Sequence, residues 1–273
     1  MSLEIIDRRG LILLGCGKMG SAMLEGWLKR GVRPSSVWVI DPYPSARLEA
    51  LAAEGLNLNA PLPEDPAVCI LAVKPQTMHD ALPQISDIAR GGTIFLSIAA
   101  GTSIRYFESV LGRKAAIVRA MPNTPAAVGR GITAIVGNGS AGPEALDLAD
   151  ELLCAVGQTL RLDDEGQMDA VTAVSGSGPA YVFHLIEALA EAGEAEGLPP
   201  ALAMRLARAT VGGAGQLAED ADETPEQLRV NVTSKGGTTA AALEVLMDEE
   251  TGLAQLMRRA VKAAAERSRE LGE

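Results

Sequence analysis

The sequence predicts an α/β domain with a doubly wound, mostly parallel sheet, followed by an all-helical domain. Between residues 10 and 163, short apolar segments rich in β-branched residues alternate with amphipathic segments, which is the pattern of repeated βαβ units. Beyond residue 163 the β-rich segments stop, and Ala, Leu, Glu and Arg dominate, which favours helices. We therefore predict one domain over residues 1–163 and a second over residues 164–273.

The first domain contains seven predicted strands, and helices fill the intervals between them. Residues 18–31 show the helical pattern, because Met19, Met23 and Trp27 recur at helical spacing and Gly31 is placed as the residue just beyond a helix end. The predicted strands are residues 11–14, 37–40, 68–73, 93–98, 116–119, 132–136 and 159–162.

The second domain begins with two strongly predicted helices. Residues 181–197 form an apolar helix that Gly197 ends, with two prolines beyond it, and residues 201–218 form the next helix. Aromatic residues make up only 3% of the chain, so small side chains allow close packing but leave a slender bundle. Burial of the apolar helix faces is therefore expected to need a partner subunit.

Composition and charge argue against several classes of protein. A net charge of −11 and a pI near 4.8 give no electrostatic case for binding nucleic acid or an anionic membrane. No apolar segment reaches the length of a membrane span, and residues 1–10 lack a signal peptide's apolar stretch and are expected to be a frayed extension. Cys16, Cys69 and Cys154 are unevenly spaced, which argues against a disulfide framework or metal site and favours the cytoplasm.

A glycine-rich turn follows the first predicted strand and opens a helix. In the pattern Gly15-x-Gly17-x-x-Gly20, the first glycine would make a tight turn, the second would let a pyrophosphate approach, and the third would let helix and strand pack. Such a turn can serve packing alone, but the flanking strand, helix and acidic residue favour dinucleotide binding. The candidate cofactor-binding residues of the turn are Gly15, Cys16, Gly17, Lys18, Met19 and Gly20.

An acidic residue follows the second predicted strand. The carboxylate of Asp41 can accept hydrogen bonds from an adenosine ribose and would repel a 2′-phosphate, which favours NADH. Arg47 could instead bind a 2′-phosphate, so NADPH and NADH both remain candidates. Asp41 could equally be the N-cap of the following helix.

The carboxyl ends of later strands provide further candidates, because open α/β sheets bind ligands at that edge. Lys74 could equally be a surface cation, and Asn123 could bond the cofactor or merely satisfy its turn. Farther along, Ser177 is expected to cap a helix, and His184 to be packed or to face a partner. The added cofactor-binding candidates are Ala72, Val73, Lys74, Pro75, Ala99 and Asn123.

The segment of residues 231–239, NVTSKGGTT, places hydroxyls and unhindered backbone amides in one short loop that opens a helix. Its two glycines let the main chain come close to a ligand, and the helix N-terminus directs N–H groups and a positive dipole end towards it. We predict that this loop holds a small anion.

Six segments, in this order and at family-like separations, resemble the pyrroline-5-carboxylate reductases: LLGCGKMG, LAVKPQ, SIAAG, RAMPNTP, VSGSGPAYVF and NVTSKGGTT. The resemblance covers nearly the whole chain after Gly10. It implies an N-terminal Rossmann domain, a helical dimerisation domain, and intertwined homodimers that often assemble into decamers. It also implies hydride transfer from NADPH or NADH to the C=N carbon of 1-pyrroline-5-carboxylate, which gives L-proline in the last step of proline biosynthesis.

The resemblance also assigns roles within the loop of residues 231–239. It implies that Ser234, Gly237 and Thr238 bind the substrate carboxylate and that the Thr239 hydroxyl partners the substrate nitrogen, which makes Thr239 the catalytic candidate. In this family the loop faces the cofactor domain of the other subunit. Lys235 stands where the family commonly has proline, and it could assist the carboxylate or face solvent. Lys18 likewise replaces a frequent asparagine, and the glycines of both patterns are intact.

The chemistry of the residues agrees with an imine reductase. A protonated imine already carries its proton, so positioning supplies most of the rate. Oxidation of a hydroxy acid needs a base, yet the sequence has no lysine between Lys114 and Lys235, and neither His79 nor His184 belongs to a loop motif. Two alternatives remain, a β-hydroxyacid dehydrogenase-like oxidoreductase and a non-catalytic NAD(P)-binding sensor.

Overall fold

The computed structural model describes residues 2–272 and separates into two compact units. The first unit holds the residues up to Gly176 together with those from Ala265 onward, and the second is Ser177–Ala264. The terminal residues 1 and 273 of the two predicted domains lie outside the described residues. The predicted boundary after residue 163, between the α/β domain and the all-helical domain, stays a prediction.

The first unit is built around one eight-stranded sheet. Its strands are β1 (Leu11–Leu14), β2 (Val37–Ile40), β3 (Asn57–Leu58), β4 (Val68–Leu71), β5 (Ile94–Ser97), β6 (Ala116–Met121), β7 (Gly131–Gly137) and β8 (Gly157–Arg161). Their order in the sheet is β3-β2-β1-β4-β5-β6-β7-β8. Six of the seven pairings are parallel and the β6–β7 pairing is antiparallel, so the predicted doubly wound, mostly parallel sheet is confirmed.

Helices cover both faces of this sheet. They are α1 (Ser2–Arg9), α2 (Lys18–Lys29), α3 (Ala46–Ala53), α4 (Pro75–Ala81), α5 (Ile104–Leu111), α6 (Pro143–Leu153) and α7 (Met168–Val171), which continues as a π-helical turn, Thr172–Gly176. Leu11 and Leu13 of β1 belong to one apolar cluster, and Ile12 and Leu14 belong to a second. Because neighbouring strand residues point to opposite faces, the two clusters lie on opposite sides of a sheet that is buried on both faces.

The N-terminal residues form a packed helix, so the prediction of a frayed extension is wrong. Ile6 of α1 is fully buried in the first cluster. Arg9 Nη2 lies 2.7 Å from an Asp65 carboxylate oxygen, and the Ser36 hydroxyl donates to Asp7 over 3.0 Å. Ile6 stands among charged residues, so the composition of residues 1–10 gives no indication that its side chain is buried.

The seven predicted strands are all present, with ends that shift by at most two residues. Strand β3 was missed because it has only two residues and begins with a polar side chain, Asn57. The antiparallel direction of β7 was also not foreseen, because hydrophobic patterning reports burial and not strand direction.

The second unit is entirely helical. Its helices are α8 (Gly178–Ala195), α9 (Pro200–Asp220), α10 (Pro225–Asn231) and α11 (Thr238–Leu246), together with the first part of α12 (Leu253–Gly272). Its buried core consists of three alanines, Ala190, Ala203 and Ala207. Large apolar side chains are exposed on all of these helices, among them Phe183, Leu185, Leu206, Leu217, Val245 and Leu246. Within residues 2–272, none of the helices combines the length and hydropathy that crossing a bilayer requires.

Two smaller predictions about this unit have clear outcomes. Ser177 is the residue before α8 but makes no side-chain cap hydrogen bond, so the expectation that it caps the helix is wrong. His184 is 81% exposed and lies 3.2 Å from the Glu187 carboxylate. It is therefore not packed within this chain, and a partner-facing position stays a prediction.

We expect Ile6→Ala to lower the free energy of unfolding by about 2–5 kcal/mol, because it removes a fully buried side chain beneath α1. Urea denaturation at one fixed protein concentration measures this change, since oligomer stability depends on concentration. Val128→Ala is the control, because that side chain is 76% exposed, and its effect should stay within about 0.5 kcal/mol. Equal effects of the two substitutions would contradict a packed α1.

Candidate active site

The glycine turn joins the carboxyl end of β1 to the start of α2. Gly15 has φ +88°, and a Cβ atom there would lie 2.8 Å from the Val73 side chain and 3.0 Å from the Ala72 carbonyl oxygen. The Gly15 amide donates to the Ile40 carbonyl of β2 over 2.9 Å. A residue with a side chain is therefore excluded from this position both by conformation and by space.

The other two glycines of the turn differ in what surrounds them. A Cβ atom on Gly20 would lie 2.7 Å from the Gly15 carbonyl oxygen, so this glycine lets α2 pack against the end of β1. A Cβ atom on Gly17 would meet nothing within 4 Å, and Gly17 precedes α2 without a side-chain cap hydrogen bond. Gly17 therefore leaves space beside the uncapped N-terminus of α2, which fits the approach of a pyrophosphate.

The carboxylate of Asp41 connects the end of β2 to this turn. One oxygen accepts a hydrogen bond from the Cys16 amide over 2.8 Å, and the other accepts from the Tyr43 amide over 2.8 Å. The N-cap of α3 is Ser45, whose hydroxyl accepts from the Leu48 amide. The alternative reading of Asp41 as a helix N-cap is therefore wrong.

Arg47 is held by a carboxylate of α2. Its guanidinium makes a two-pronged contact with Glu25, with Nε 2.6 Å and Nη2 3.2 Å from the two carboxylate oxygens. This hydrogen bonding lowers the pKa of Glu25 and raises the pKa of Arg47. The residue that could have bound a 2′-phosphate is thus already paired with an acid.

The Cys16 thiol has no part in the hydrogen bond that the Cys16 amide donates to Asp41. Burial raises the pKa of the Cys16 thiol, and the nearby charges of Asp41 and Glu25 raise it further, against the opposing effect of a hydrogen bond with Ser21. The thiol therefore stays protonated at neutral pH, and the backbone N–H is the group that position 16 contributes to the turn.

The structure brings the strand exits after β4 and β5 to the same edge as the glycine turn, because β1, β4 and β5 are parallel neighbours. The Ala72 amide donates to the Leu14 carbonyl over 2.8 Å. Lys74 is exposed and precedes α4, and Pro75 begins that helix. After β5, Ala99 is buried, with its amide donating to the Ser97 hydroxyl.

Asn123 is buried and uses its side chain within the protein. Its amide oxygen accepts from the Ile132 N–H over 3.0 Å, and its amide nitrogen donates to the Ser175 carbonyl over 3.2 Å. These contacts connect the exit of β6 to the start of β7 and to the π-helical turn. They support the turn-satisfying role that the sequence left open, and contact with the cofactor stays a prediction.

The loop before α11 exposes a helix N-terminus. Gly236 has φ +70°, and Gly237, the residue before the nine-residue helix α11, makes no side-chain cap hydrogen bond. The Gly237 amide donates to the Ser234 carbonyl over 3.0 Å, which folds the loop into a tight turn. The first amides of α11 therefore have no side-chain acceptor at the cap position.

The side chains of this loop also suit an anion. Ser234, Lys235 and Thr238 are exposed, and Thr239 is partly buried at the start of α11. Hydroxyls, one ammonium group and the positive end of the helix dipole therefore surround the uncapped amides. The sequence placed these residues in one loop, and the structure brings them to one helix end.

Sequence reasoning missed three residues around the cofactor edge. Glu25 binds Arg47, the amide of Tyr43 bonds Asp41, and Asn59 contacts both main-chain polar groups of Asp41. The sequence carries no signal for the contacts of Glu25 and Asn59, because each depends on the spatial adjacency of separate elements, whereas Tyr43 makes a local contact two residues after Asp41. The sheet and the glycine turn define a dinucleotide-binding Rossmann domain, the fold that NAD(P)H-dependent oxidoreductases use.

Comparisons with known proteins agree with this class and narrow it. The chain is 38% identical over 266 residues to the pyrroline-5-carboxylate reductase of Pseudomonas aeruginosa, covering 96% of this chain and 97% of that protein. It is 40% identical over 266 residues to the Synechocystis enzyme of the same name, with the same coverage of each chain. The chain belongs to the pyrroline-5-carboxylate reductase family.

Family models and solved structures give the same result. The model described as pyrroline-5-carboxylate reductase dimerisation matches residues 165–271, which indicates a homo-oligomer, and the model described as NADP oxidoreductase coenzyme F420-dependent matches residues 10–101. The reductase structure from Coxiella burnetii has a TM-score of 0.90 at 32% identity, covering 97% of this chain and 99% of that one. The Plasmodium falciparum structure, described with NADP bound, has a TM-score of 0.82 at 29% identity, covering 97% and 98%.

The two glycines at the start of α2 should respond differently to alanine. We expect Gly17→Ala to weaken NADH and NADPH binding by about tenfold, or about 1.4 kcal/mol, because the new methyl projects into the space left for the pyrophosphate. Its melting temperature should stay within about 2 °C of the original, since the backbone is extended there and the space is open.

Gly20→Ala provides the contrast. Its methyl would press on the Gly15 carbonyl oxygen, so both the melting temperature and cofactor affinity should fall. Fluorescence titration with NADH and thermal unfolding measure the two quantities. A stable Gly17→Ala protein with normal affinity for both dinucleotides would contradict the assignment of this turn.

Proposed function

We propose that this chain reduces the C=N bond of 1-pyrroline-5-carboxylate to give L-proline, the last step of proline biosynthesis. The observation that carries the proposal is the uncapped N-terminus of α11, surrounded by the hydroxyls of Ser234, Thr238 and Thr239, in a chain that also has a dinucleotide turn. The first site suits a small carboxylate and the second suits a nicotinamide cofactor. Membership of the reductase family implies that the two sites serve one reaction, in which the cofactor reduces the bound substrate.

The substrate carboxylate is held by the loop before α11. Ser234 and Thr238 provide hydroxyl donors, and Gly237 lets the main-chain amides come close to the carboxylate oxygens. A Cβ atom on Gly237 would lie closer to the Ser234 hydroxyl than any real contact allows, so this glycine also keeps the turn compact. Lys235 adds a positive charge beside the site.

Thr239 orients the reacting end of the substrate. Its hydroxyl accepts a hydrogen bond from the protonated imine nitrogen, which fixes the ring so that one face of the C=N carbon is presented for reduction. The nitrogen keeps its proton throughout, so no strong general acid is required. The bound nicotinamide supplies the hydride.

The cofactor is held at the carboxyl edge of the sheet in the first unit. Main-chain amides of the glycine turn bind the pyrophosphate, Asp41 accepts from the adenosine ribose, and the exits of β4, β5 and β6 line the nicotinamide path. The residues assigned to these roles are Gly15, Cys16, Gly17, Lys18, Met19, Gly20, Asp41, Ala72, Val73, Lys74, Pro75, Ala99 and Asn123.

The working enzyme is an intertwined homodimer or a higher homo-oligomer, of which a decamer is the candidate. The small alanine core of the second unit and its many exposed apolar side chains support such an assembly. In the dimer, the loop of residues 231–239 faces the cofactor domain of the other subunit, so each site is composite. We place the enzyme in the cytoplasm, as cysteine usage predicts, and all three cysteines are free thiols.

NADH is the preferred reductant. The carboxylate of Asp41 accepts from the Cys16 amide over 2.8 Å, so a negative charge lies beside the turn at the adenosine end of the site. Arg47, the nearby cation, is engaged by Glu25 over 2.6 Å. A 2′-phosphate would meet repulsion from Asp41 and would compete with Glu25 for Arg47.

We expect Thr239→Val to lower kcat/KM for pyrroline-5-carboxylate by about 10- to 100-fold, because it removes one hydrogen bond to a charged nitrogen while keeping the side-chain shape. The KM for NADH should hold, since the hydroxyl touches substrate and not dinucleotide. Thr239→Ser restores the hydroxyl and should recover most of the activity. Steady-state kinetics with each substrate varied in turn measures these effects.

Two outcomes would refute this reading in favour of the alternatives. Turnover of hydroxy acids with no activity on the imine would identify a β-hydroxyacid dehydrogenase-like enzyme. Tight NAD(P) binding without turnover of any imine would identify a sensor. Unchanged kinetics in Thr239→Val would retain the reaction but remove Thr239 from the site.

Glu25→Gln tests the cofactor preference. It removes the charge that holds Arg47, so we expect kcat/KM for NADPH to rise about five- to tenfold relative to NADH, about 1 kcal/mol of gained pairing with the 2′-phosphate. The double change with Arg47→Ala should abolish the gain. A wild-type preference for NADPH over NADH would contradict the proposal directly.

A further inference from the structure

Asn59 has an unusual backbone conformation at the edge of the sheet. It directly follows β3 and has φ +49°, and it is the one non-glycine residue with positive φ in the described part of the chain. Left-handed conformations cost energy for residues other than glycine, although asparagine tolerates them better than most. A residue held in this region is expected to have contacts that fix it there.

The side chain of Asn59 bonds both main-chain groups of one residue. Its amide oxygen accepts from the Asp41 N–H over 2.9 Å, and its amide nitrogen donates to the Asp41 carbonyl over 2.8 Å. The Asn59 N–H also donates to the Val39 carbonyl over 2.9 Å. The side-chain amide therefore extends the β2–β3 pairing past the end of β3, in place of a further strand residue.

The residue fixed in this way connects to the glycine turn. Asp41 presents its carboxylate to the amides of Cys16 and Tyr43, each over 2.8 Å. A continuous path of hydrogen bonds thus runs from Asn59, after β3, through Asp41, after β2, to Cys16, after β1. Three successive strand exits of the cofactor edge are joined through one side-chain amide and one carboxylate.

We propose that Asn59 is a positioning residue for the dinucleotide, because it fixes the main chain of Asp41 and thereby sets the carboxylate that orients the Cys16 amide of the glycine turn. The proposal rests on the proposed function only for the identity of the cofactor. Without the Asn59 amide, the exit of β2 has no side-chain support from β3. The Asp41 carboxylate then samples other positions, and the turn loses the acceptor that orders it before the cofactor arrives.

The strand offers a matched control two residues earlier. Asn57 also donates from its side-chain amide to main-chain carbonyls, those of Ser35 and Val37, over 3.0 and 3.2 Å. These contacts lie at the start of β2, away from the cofactor edge. Loss of either asparagine removes side-chain-to-backbone bonds from the same sheet edge, but only Asn59 is connected to the turn.

The test compares Asn59→Gly with Asn57→Ala. Glycine relieves the positive φ while removing both bonds to Asp41, so the variant should fold with a melting temperature close to that of the original. Direct titration with NADH and with NADPH, without any imine, should show dissociation constants raised about fivefold or more for Asn59→Gly. Asn57→Ala should stay within about twofold.

The same experiment separates a positioning role from a structural one. In steady-state assays of Asn59→Gly, the KM for NADH should rise while kcat and the KM for pyrroline-5-carboxylate hold. A folded Asn59→Gly protein with unchanged affinity for both dinucleotides would overturn the inference. Equal losses in Asn59→Gly and Asn57→Ala would also overturn it. If the wild-type protein binds NADH but reduces no imine, the proposed reaction is refuted, and the titrations alone then decide the role of Asn59. If the wild-type protein binds neither dinucleotide, both proposals are refuted.

Discussion

The helical unit buries few apolar side chains of its own. Its core is three alanines, whereas side chains as large as Phe183 and Leu217 are more than half exposed in the isolated chain. Burying one such side chain is worth roughly 1.5–3 kcal/mol. We expect the homo-oligomer to provide that burial, so that the stability of the framework around the loop of residues 231–239 depends on assembly. Folding and the integrity of the proposed anion site would be coupled for this reason.

The contacts that shape the proposed cofactor site differ in this respect, because they all lie within the first unit. Gly15 and Gly20 let β1, α2 and the exit of β4 approach each other, and Asp41 fixes the amide of Cys16. These contacts exist within a single chain and need no partner. The protein thus combines a proposed nucleotide site that is shaped within one unit with a proposed substrate loop in the unit that we expect to depend on assembly.

Much of the fold was predictable from the sequence, and the failures have physical reasons. Buried parallel strands appear as apolar runs, and the glycine turn is readable because its spacing is fixed by one local structure. Helix α1 was misread because its buried Ile6 stands among charged residues, and β3 because two residues cannot establish a pattern. Ser45, not Asp41, caps α3, since capping depends on where the chain turns.

The candidate site divides in the same way. Local motifs revealed the glycine turn and the loop before α11, where neighbouring residues act together. Asn59 contacts Asp41, and Glu25 pairs with Arg47, although the residues of each pair are about twenty positions apart in the sequence. These residues meet only because β3 pairs with β2 and because the fold brings α2 close to Arg47. No single-sequence pattern marks such partners.

The hydrogen bond between Asp41 and the glycine turn has a consequence for redesigning this enzyme. In Rossmann domains the acid at the end of the second strand binds the ribose, so its exchange is the direct way to change the preferred reductant. Here that acid also accepts a hydrogen bond from the Cys16 amide of the glycine turn, so we expect its exchange to lower general nucleotide affinity along with discrimination. A substitution on helix α2, where Glu25 pairs with Arg47, is expected to change the cofactor preference with less disturbance of the turn.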